Sequence, residues 1–514
     1  MMITIPFILS ITSAISIVLV KKFRPQFRYF WFIAIGGSIL VFTTLLIWTI
    51  NPPLGFSLTS LDESTLPIFS PAWTASELNL PIIISLSTLG LAVLLTTMIR
   101  QNSDPIDWAS IFVFISLGIL AVMSDNYISI ALCWISIDVI DLISILRYGK
   151  ENKSNDVVVA LSIKLFGILL LIWSAILCAS NGISMDLHQL PNFAGLFILT
   201  AAILRIGILP LVLPVNTTDL SKGIFTISRA ISSVSGLILL IYLPTNIIPS
   251  SAIPITIVIL GFTCIGLSVA WFLARNELAG RPYWILSFVI LIISNSLNGN
   301  IESSISLLTA LILCGGLVSL YSSRHKKNIW LPLLGLWGLS TVPFSLTYGI
   351  FSARSSISVY THLPMVVGYS ILLAGYIKHI YSIKVSSERS IQPKWVNLMY
   401  LSGLVLIIGV LLFLGLKQGF TNESIQYSWI ELLPIGLAVI ITLLRVQFKE
   451  SLNVIKIQSP SFKQNYFTIL LWGIYNLIRR IINGINFILE GDGGMLWSLV
   501  LLLLFVTILS QFSN

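Results

Sequence analysis

Charge is what this 514-residue chain has least of: Asp, Glu, Lys and Arg together make up only 10% of it. A soluble domain carries about 25%, and a soluble chain of this length would place polar linkers between several domains. Cysteine is also sparse. Cys133, Cys178, Cys264 and Cys314 lie far apart within or at the end of apolar blocks, and no Cys-x-x-Cys pair exists. Iron–sulfur, zinc and disulfide frameworks are therefore unsupported. The four histidines, His188, His325, His362 and His379, lack metal-ligand spacing. No phosphate-binding loop and no Gly-x-Gly-x-x-Gly after a strand is found. No cofactor, metal or soluble catalytic motif is expected. The first apolar block has neither a basic segment before it nor a small-residue cleavage site, so it reads as a retained span and not a signal peptide.

Hydrophobic residues are what the chain has instead, at 56% of the sequence, with a mean hydropathy of +0.96. Apolar blocks of roughly 18–25 residues follow one another almost without pause, the length that crosses ~30 Å of hydrocarbon. The candidate spans are 3–20, 30–50, 81–99, 108–124, 126–146, 157–179, 193–214, 223–243, 252–274, 283–298, 303–322, 330–352, 364–383, 397–416, 430–446 and 494–511. The expected class is an all-α polytopic membrane protein with about sixteen transmembrane helices.

The net charge of +9 is distributed in a way that argues for topology and against nucleic acid. Basic tracts such as Lys21-Lys22-Phe23-Arg24 sit beside apolar blocks, where they set orientation. With the N-terminus outside, twenty-two of the 29 Lys and Arg residues fall on the inner side, and only Arg354 and Lys417 fall outside. One missed span would scramble that alternation. A multi-pass protein of the cell (inner) membrane is the consequent expectation. The first long outer loop, 51–80, is acidic, with Asp62, Glu63 and Glu77. Near the other end, Asn476, Arg479, Arg480, Asn483, Asn486 and Glu490 recur at three- to four-residue spacing within 466–490. That stripe suits an amphipathic helix lying along the inner interface or against a partner subunit, or a polar-striped span packed in the bundle.

Five ionisable residues are expected at membrane depth, where charges are costly and commonly functional. Asp138 lies mid-span in Cys-Trp-Ile-Ser-Ile-Asp, and Asp141 follows one turn later on the same face. Lys164 enters the next span, Arg205 occupies Ile-Leu-Arg-Ile-Gly-Ile-Leu-Pro, and Arg229 lies in Ile-Ser-Arg-Ala-Ile-Ser-Ser. Carboxylates and cations on neighbouring helices make a proton relay, in which Asp and Lys titrate. Arg stays protonated, so Arg205 and Arg229 act as fixed charges. Static salt bridges holding the bundle, or recognition of an anion or substrate, are the other readings of the same pattern.

Proline marks two interruptions. Pro210 and Pro214 follow Arg205 within one span, and Pro343 and Gly349 lie near the middle of 330–352. Each proline removes an intrahelical hydrogen bond. The two spans run in opposite directions, which signals two inverted five-helix repeats, 108–243 and 252–383. The remaining regions are 1–107, with three spans and the acidic loop, and 397–514, with the amphipathic helix and a final span.

These residues resemble those of the antiporter-like subunits of proton-pumping NADH:quinone oxidoreductase (complex I), a family that includes subunits of membrane-bound hydrogenases and multisubunit cation/proton antiporters. The resemblance covers roughly residues 80–385. Trp134-Ile-Ser-Ile-Asp138 is similar to the family's Trp-preceded membrane glutamate, with aspartate in its place, and Lys164 matches its next-helix lysine. Arg205-Ile-Gly-Ile-Leu-Pro210-Leu-Val-Leu-Pro214 resembles loosely the interrupted-helix signature. Arg229 falls near a family lysine or histidine, and Thr341-Val-Pro343 through Gly349-Ile-Phe351 is similar to the second interrupted helix. The tail entered through Glu490-Gly-Asp-Gly-Gly-Met-Leu-Trp497 is similar to that of divergent members. Three departures stand out: Arg205 replaces the key lysine, the His-x-Trp element is missing, and the second repeat has no Lys, Asp or Glu at mid-membrane.

The resemblance implies a membrane subunit of a proton- or cation-translocating complex, partnered by other membrane subunits and the lipid bilayer, with any redox chemistry in those partners. The uncharged second repeat also admits a transport-inactive scaffold subunit. A stand-alone ion-coupled transporter, or a lipid- or polysaccharide-processing membrane enzyme using loop 51–80, is the third class.

Overall fold

The computed structural model describes residues 4–27, 29–50, 56–57, 71–97, 104–148, 154–181, 187, 191–206, 222–243, 248–249, 251–321, 329–351, 359–381, 393–421 and 429–447. Among these it is built from α-helices. In chain order they are α1 (Ile5–Phe23), α2 (Phe30–Trp48), α3 (Leu80–Thr97), α4 (Pro105–Val122), α5 (Tyr127–Tyr148), α6 (Ser154–Ser180), α7 (Asn192–Ile206) and α8 (Lys222–Ile241). There follow α9 (Ile253–Leu273), α10 (Glu277–Leu297), α11 (Ile301–Tyr321), α12 (Trp330–Leu339), α13 (Leu363–Tyr381), α14 (Lys394–Thr421) and α15 (Leu433–Gln447). Eleven of them are long and apolar enough to cross a membrane; Asn192–Ile206, Ala230–Ile241, Trp330–Leu339 and Leu433–Arg445 are shorter apolar helices. In hydrocarbon the helix is the natural state of such sequences, because each backbone N–H and C=O finds its partner within the segment.

Local sequence sets the helix starts. Pro occupies the first turn of α1, α4 and α9, where its missing N–H costs nothing. Asp104 caps α4 by accepting the Ile106 amide at 3.1 Å. Among the described residues the β content is one two-residue antiparallel pair, β1 (Phe56–Ser57) with β2 (Ala72–Trp73). Strand β2 and the residue after it are pinned to the α4–α5 junction: Ser129 both donates to Ala72 O and accepts its amide, each at 2.8 Å, and Thr74 Oγ1 donates to Asp125 at 2.5 Å.

Packing follows the chain in two closed sets. Helices α4, α5, α6, α7 and α8 each contact the next, and α8 returns to α4. Helices α9 to α13 do the same, with α13 packed along α9. Helix α3 packs against α4 and α8 of the first set and against α11 of the second, and both α3 and α11 are almost wholly buried. Helices α1 and α9 are mostly exposed, with Ile8, Ile15, Ile255, Ile259 and Phe262 outward, as expected of faces that meet lipid or another subunit.

The expected spans overlap these helices, but eleven of the described helices, rather than sixteen, are long and apolar enough to cross a membrane, and three expected boundaries differ. The span expected at 330–352 ends as a helix at Leu339, and the chain turns through 340–351 without helical structure. The span expected at 283–298 starts earlier, at Glu277, and takes Pro282 inside the helix. Helix α15 starts at Leu433 and leaves Glu431 before it. The acidic pair Asp62-Glu63, Pro210, Pro214, the amphipathic stretch 466–490 and the last span, 494–511, lie outside the described residues.

Candidate functional site: a buried charge chain on three helices

Helix α5 carries Trp134, Asp138 and Asp141 on one face, α6 carries Lys164, and α7 ends its last turn at Arg205. Because α5, α6 and α7 pack in sequence order, the four charged side chains converge. Arg205 Nη1 donates to Asp138 Oδ2 at 2.5 Å, with Asp138 only 3% and Arg205 2% exposed. Lys164 Nζ lies 3.5 Å from the other oxygen of Asp138 and donates to Asp141 Oδ2 at 2.7 Å. The order is Arg205, Asp138, Lys164, Asp141, with alternating sign and no net charge.

The two ends of this chain differ in exposure. The side chains of Lys164 and Asp141 are 21% and 14% exposed, against 0% and 3% for Arg205 and Asp138. The guanidinium of Arg205 also lies 5.0 Å over the Trp134 ring, whose face is electron-rich. Arg205 Nε and Nη2 have no hydrogen-bond partner among the described residues, and Asp138 Oδ1 has the Lys164 ammonium at 3.5 Å. Arg229 lies in α8, which packs against α7, but its side chain is outside the described residues.

This architecture has counterparts among solved structures. No protein-family model matches the chain, and no curated protein matches it in sequence. In structure, it is similar to a chain of the Mrp complex from Dietzia sp. DQ12-45-1b, with a TM-score of 0.69 at 11% identity over 100% of this chain and 63% of that longer one. It is similar to a chain of the membrane-bound sulfane sulfur reductase, an archaeal respiratory membrane complex, with a TM-score of 0.70 at 12% identity over 99% and 100% of the two chains. A chain of respiratory complex I from Thermus thermophilus with bound NADH gives 0.62 at 12% identity over 86% and 100%. The chain shares the fold of these membrane-complex chains, and the likeness covers 86–100% of its length.

The second half of the fold contains a buried acid that sequence reading missed. After α12 the backbone takes left-handed conformations at Thr341 (φ 56°), Phe344 (φ 66°) and Gly349 (φ 84°). Glycine adopts this freely, whereas Thr and Phe do so at a cost of roughly 1–3 kcal/mol each. Surrounding bonds hold them there. Thr347 Oγ1 donates to Gly338 O at 3.1 Å and Tyr369 donates to Leu339 O at 2.7 Å, so the last carbonyls of α12 are satisfied. Thr341 Oγ1 donates to the backbone carbonyl of Glu431, and the Phe351 amide donates to Glu431 Oε1 at 2.9 Å. Glu431, 2% exposed, is thus a buried acid packed on the turn that contains Pro343. In sequence it stands just before Leu-Leu-Pro434 at the start of an apolar block, which reads as an ordinary helix-start acid.

Lys378 and His379, near the end of α13, both reach the end of α9. Lys378, sorted with the inner-loop cations, stays within α13 and donates to Phe272 O at 2.5 Å and Ala274 O at 2.7 Å, satisfying the end of α9. His379 follows it, with Nε2 3.0 Å from Trp271 O. All four cysteines are buried and free.

Proposed function

We propose that the chain is an antiporter-like membrane subunit of a proton- or cation-translocating, NADH dehydrogenase-like complex, in which Asp138, Asp141 and Lys164 titrate. Arg205 and Arg229 serve as fixed charges. The observation that carries this reading is Lys164 held between two carboxylates, 2.7 Å from Asp141 and 3.5 Å from Asp138. An ammonium shared in this way is attracted to both, and Arg205 neutralises the inner one. A proton leaving Lys164 leaves Asp138 paired with Arg205 and Asp141 without a countercharge. Arg205 cannot pass a proton on; it stays as the fixed countercharge of Asp138.

The topology proposed with this function has about sixteen spans, the N-terminus outside in the cell (inner) membrane, and two inverted repeats, 108–243 and 252–383. The closed sets α4–α8 and α9–α13 support the repeats, and the irregular turn 340–351 supports the second broken helix with Pro343 and Gly349. The first would carry Pro210 and Pro214. Other membrane subunits would contact the exposed apolar faces.

Reconstitution of the complex in vesicles tests the proposal. Lys164→Ala and Asp138→Asn are each expected to abolish ion-coupled activity while the complex still assembles. Undiminished translocation in both variants refutes it. The scaffold alternative is favoured by the absence, among the described residues of α9–α13, of an ion-paired charge chain comparable to the first. It gives the opposite result: both variants lose assembly, and no flux depends on their titration.

A further inference from the structure

Three acidic side chains among the described residues are fully buried: Asp107, Asp138 and Glu431. Asp107 is paired with Arg147 at 3.2 Å and Asp138 with Arg205. Glu431 has no ion-pair partner among the described residues, and its Oε2 is buried without a hydrogen bond there. Its other oxygen is engaged, accepting the Phe351 amide, with the Gly349 amide beside it. The ionisable groups on the elements packed around it are few. Tyr369 on α13 commits its hydroxyl to Leu339 O; His362 is buried in the turn before α13; Lys417 is exposed near the end of α14, whose Gly415 abuts Phe344. No ion pair joins any of them to Glu431.

An isolated carboxylate buried without a cation costs several kcal/mol, and such a group takes up a proton instead. We propose that Glu431 is a proton-binding site of the second half of this fold, which loads and releases a proton on Oε2 beside the turn that interrupts α12. The ligand is the hydron itself: Oε2 gains it from water as the carboxyl becomes neutral and returns it to water on ionisation. The same residue holds the turn at both ends, at Thr341 through its carbonyl and at Phe351 through Oε1. Ionisation strengthens the bond from the Phe351 amide, so the proton occupancy of Glu431 is read out in how tightly 341–351 is held. The inference rests on the proposed function only for the use made of the proton, since binding and release need no transport.

Infrared spectroscopy of the full-length chain in lipid nanodiscs, recorded across a pH titration, tests this. The carbonyl stretch of a protonated carboxylic acid is expected in the wild type at low pH and is expected to vanish reversibly as pH rises. Glu431→Gln is expected to lack that band, Glu431→Asp to retain it at a shifted position, and Lys164→Ala to keep it in place. A Glu431→Gln titration superimposable on the wild type overturns the proposal, as does a band that persists at every pH. Where Glu431→Gln does not fold, the Glu431→Asp spectrum decides: a shifted band supports the assignment, and an unmoved one overturns it. Loss of flux in Lys164→Ala leaves the band untouched, so failure of the translocation reading is separable from failure of this one.

Discussion

At the scale of single residues, the Asp138–Arg205 pair is both the most buried charge contact and the most consequential. Removing one partner of a buried pair strands the other in low dielectric, whereas removing both does not. Arg205→Gln is therefore expected to lower stability by about 3–5 kcal/mol, measured as thermal unfolding in nanodiscs. Asp138→Asn in the same chain is expected to restore much of the loss, because no unpaired carboxylate remains. Additive losses in the double variant would mean that the two side chains are not coupled. The sequence pointed to both residues through their depth in apolar blocks, and the three-residue separation of Asp138 and Asp141 put them on one face. It did not assign partners. Whether Arg205 meets Asp138 or Asp141 depends on how closely α7 approaches α5, and no local pattern encodes that.

At the scale of elements, close approach of helices decides the packing of the second half. A Cβ added to Gly368 on α13 would lie 2.9 Å from Cys264 Sγ and 3.1 Å from the Ile265 backbone nitrogen, and one at Gly261 on α9 would lie 2.6 Å from Pro364 Cβ. Small residues thus let α9 and α13 come together, the mode of association available in lipid, where hydrophobic burial drives little. Gly368→Leu is expected to destabilise by about 1–3 kcal/mol through overpacking. Gly266→Leu, with nothing within 4 Å of the added atom, is expected to change stability little. Equal effects in a thermal-unfolding comparison would remove the close α9–α13 contact from the account. The end of α12 also belongs to this scale. Pro343 announces an interruption, yet the helix stops four residues earlier, because Thr347 and Tyr369 take over the carbonyls of Gly338 and Leu339. Those partners come from beyond the turn and from another helix, so proline position alone misplaces the boundary.

At the scale of the whole molecule, three helix ends are tied by one ionic cluster. Asp104, at the start of α4, receives Lys21 from the end of α1 at 2.5 Å and a short contact from Arg147 at the end of α5, which also reaches Asp107. Burial of Asp104 opposes its ionisation, but the hydrogen bonds from Lys21 and the Ile106 amide, with the charge of Arg147, hold its carboxyl below the ordinary value. A depressed carboxyl contributes stability above its unfolded value and loses it as pH falls through the folded one. The wild type is therefore expected to lose stability in that acid window, and Asp104→Asn to lack this part of the loss while being slightly weaker at neutral pH. With 34% of the side chain exposed, the effect is expected to stay under about 1 kcal/mol. An acid limb unchanged by Asp104→Asn would assign it to another carboxyl.

The sequence by itself determined that this chain is a multi-pass membrane protein and that Asp138, Asp141, Lys164 and Arg205 lie in apolar segments, because each follows from apolar length and the period of a single helix. The three-dimensional fold decided who pairs with whom: α5, α6 and α7 gathered Arg205, Asp138, Lys164 and Asp141 into one chain, and the short turn before α15 brought Glu431 to the turn after α12. Glu431 lies 80 residues from Phe351 along the chain. Such contacts arise only when helices pack, since burial and ion pairing are properties of the space between elements.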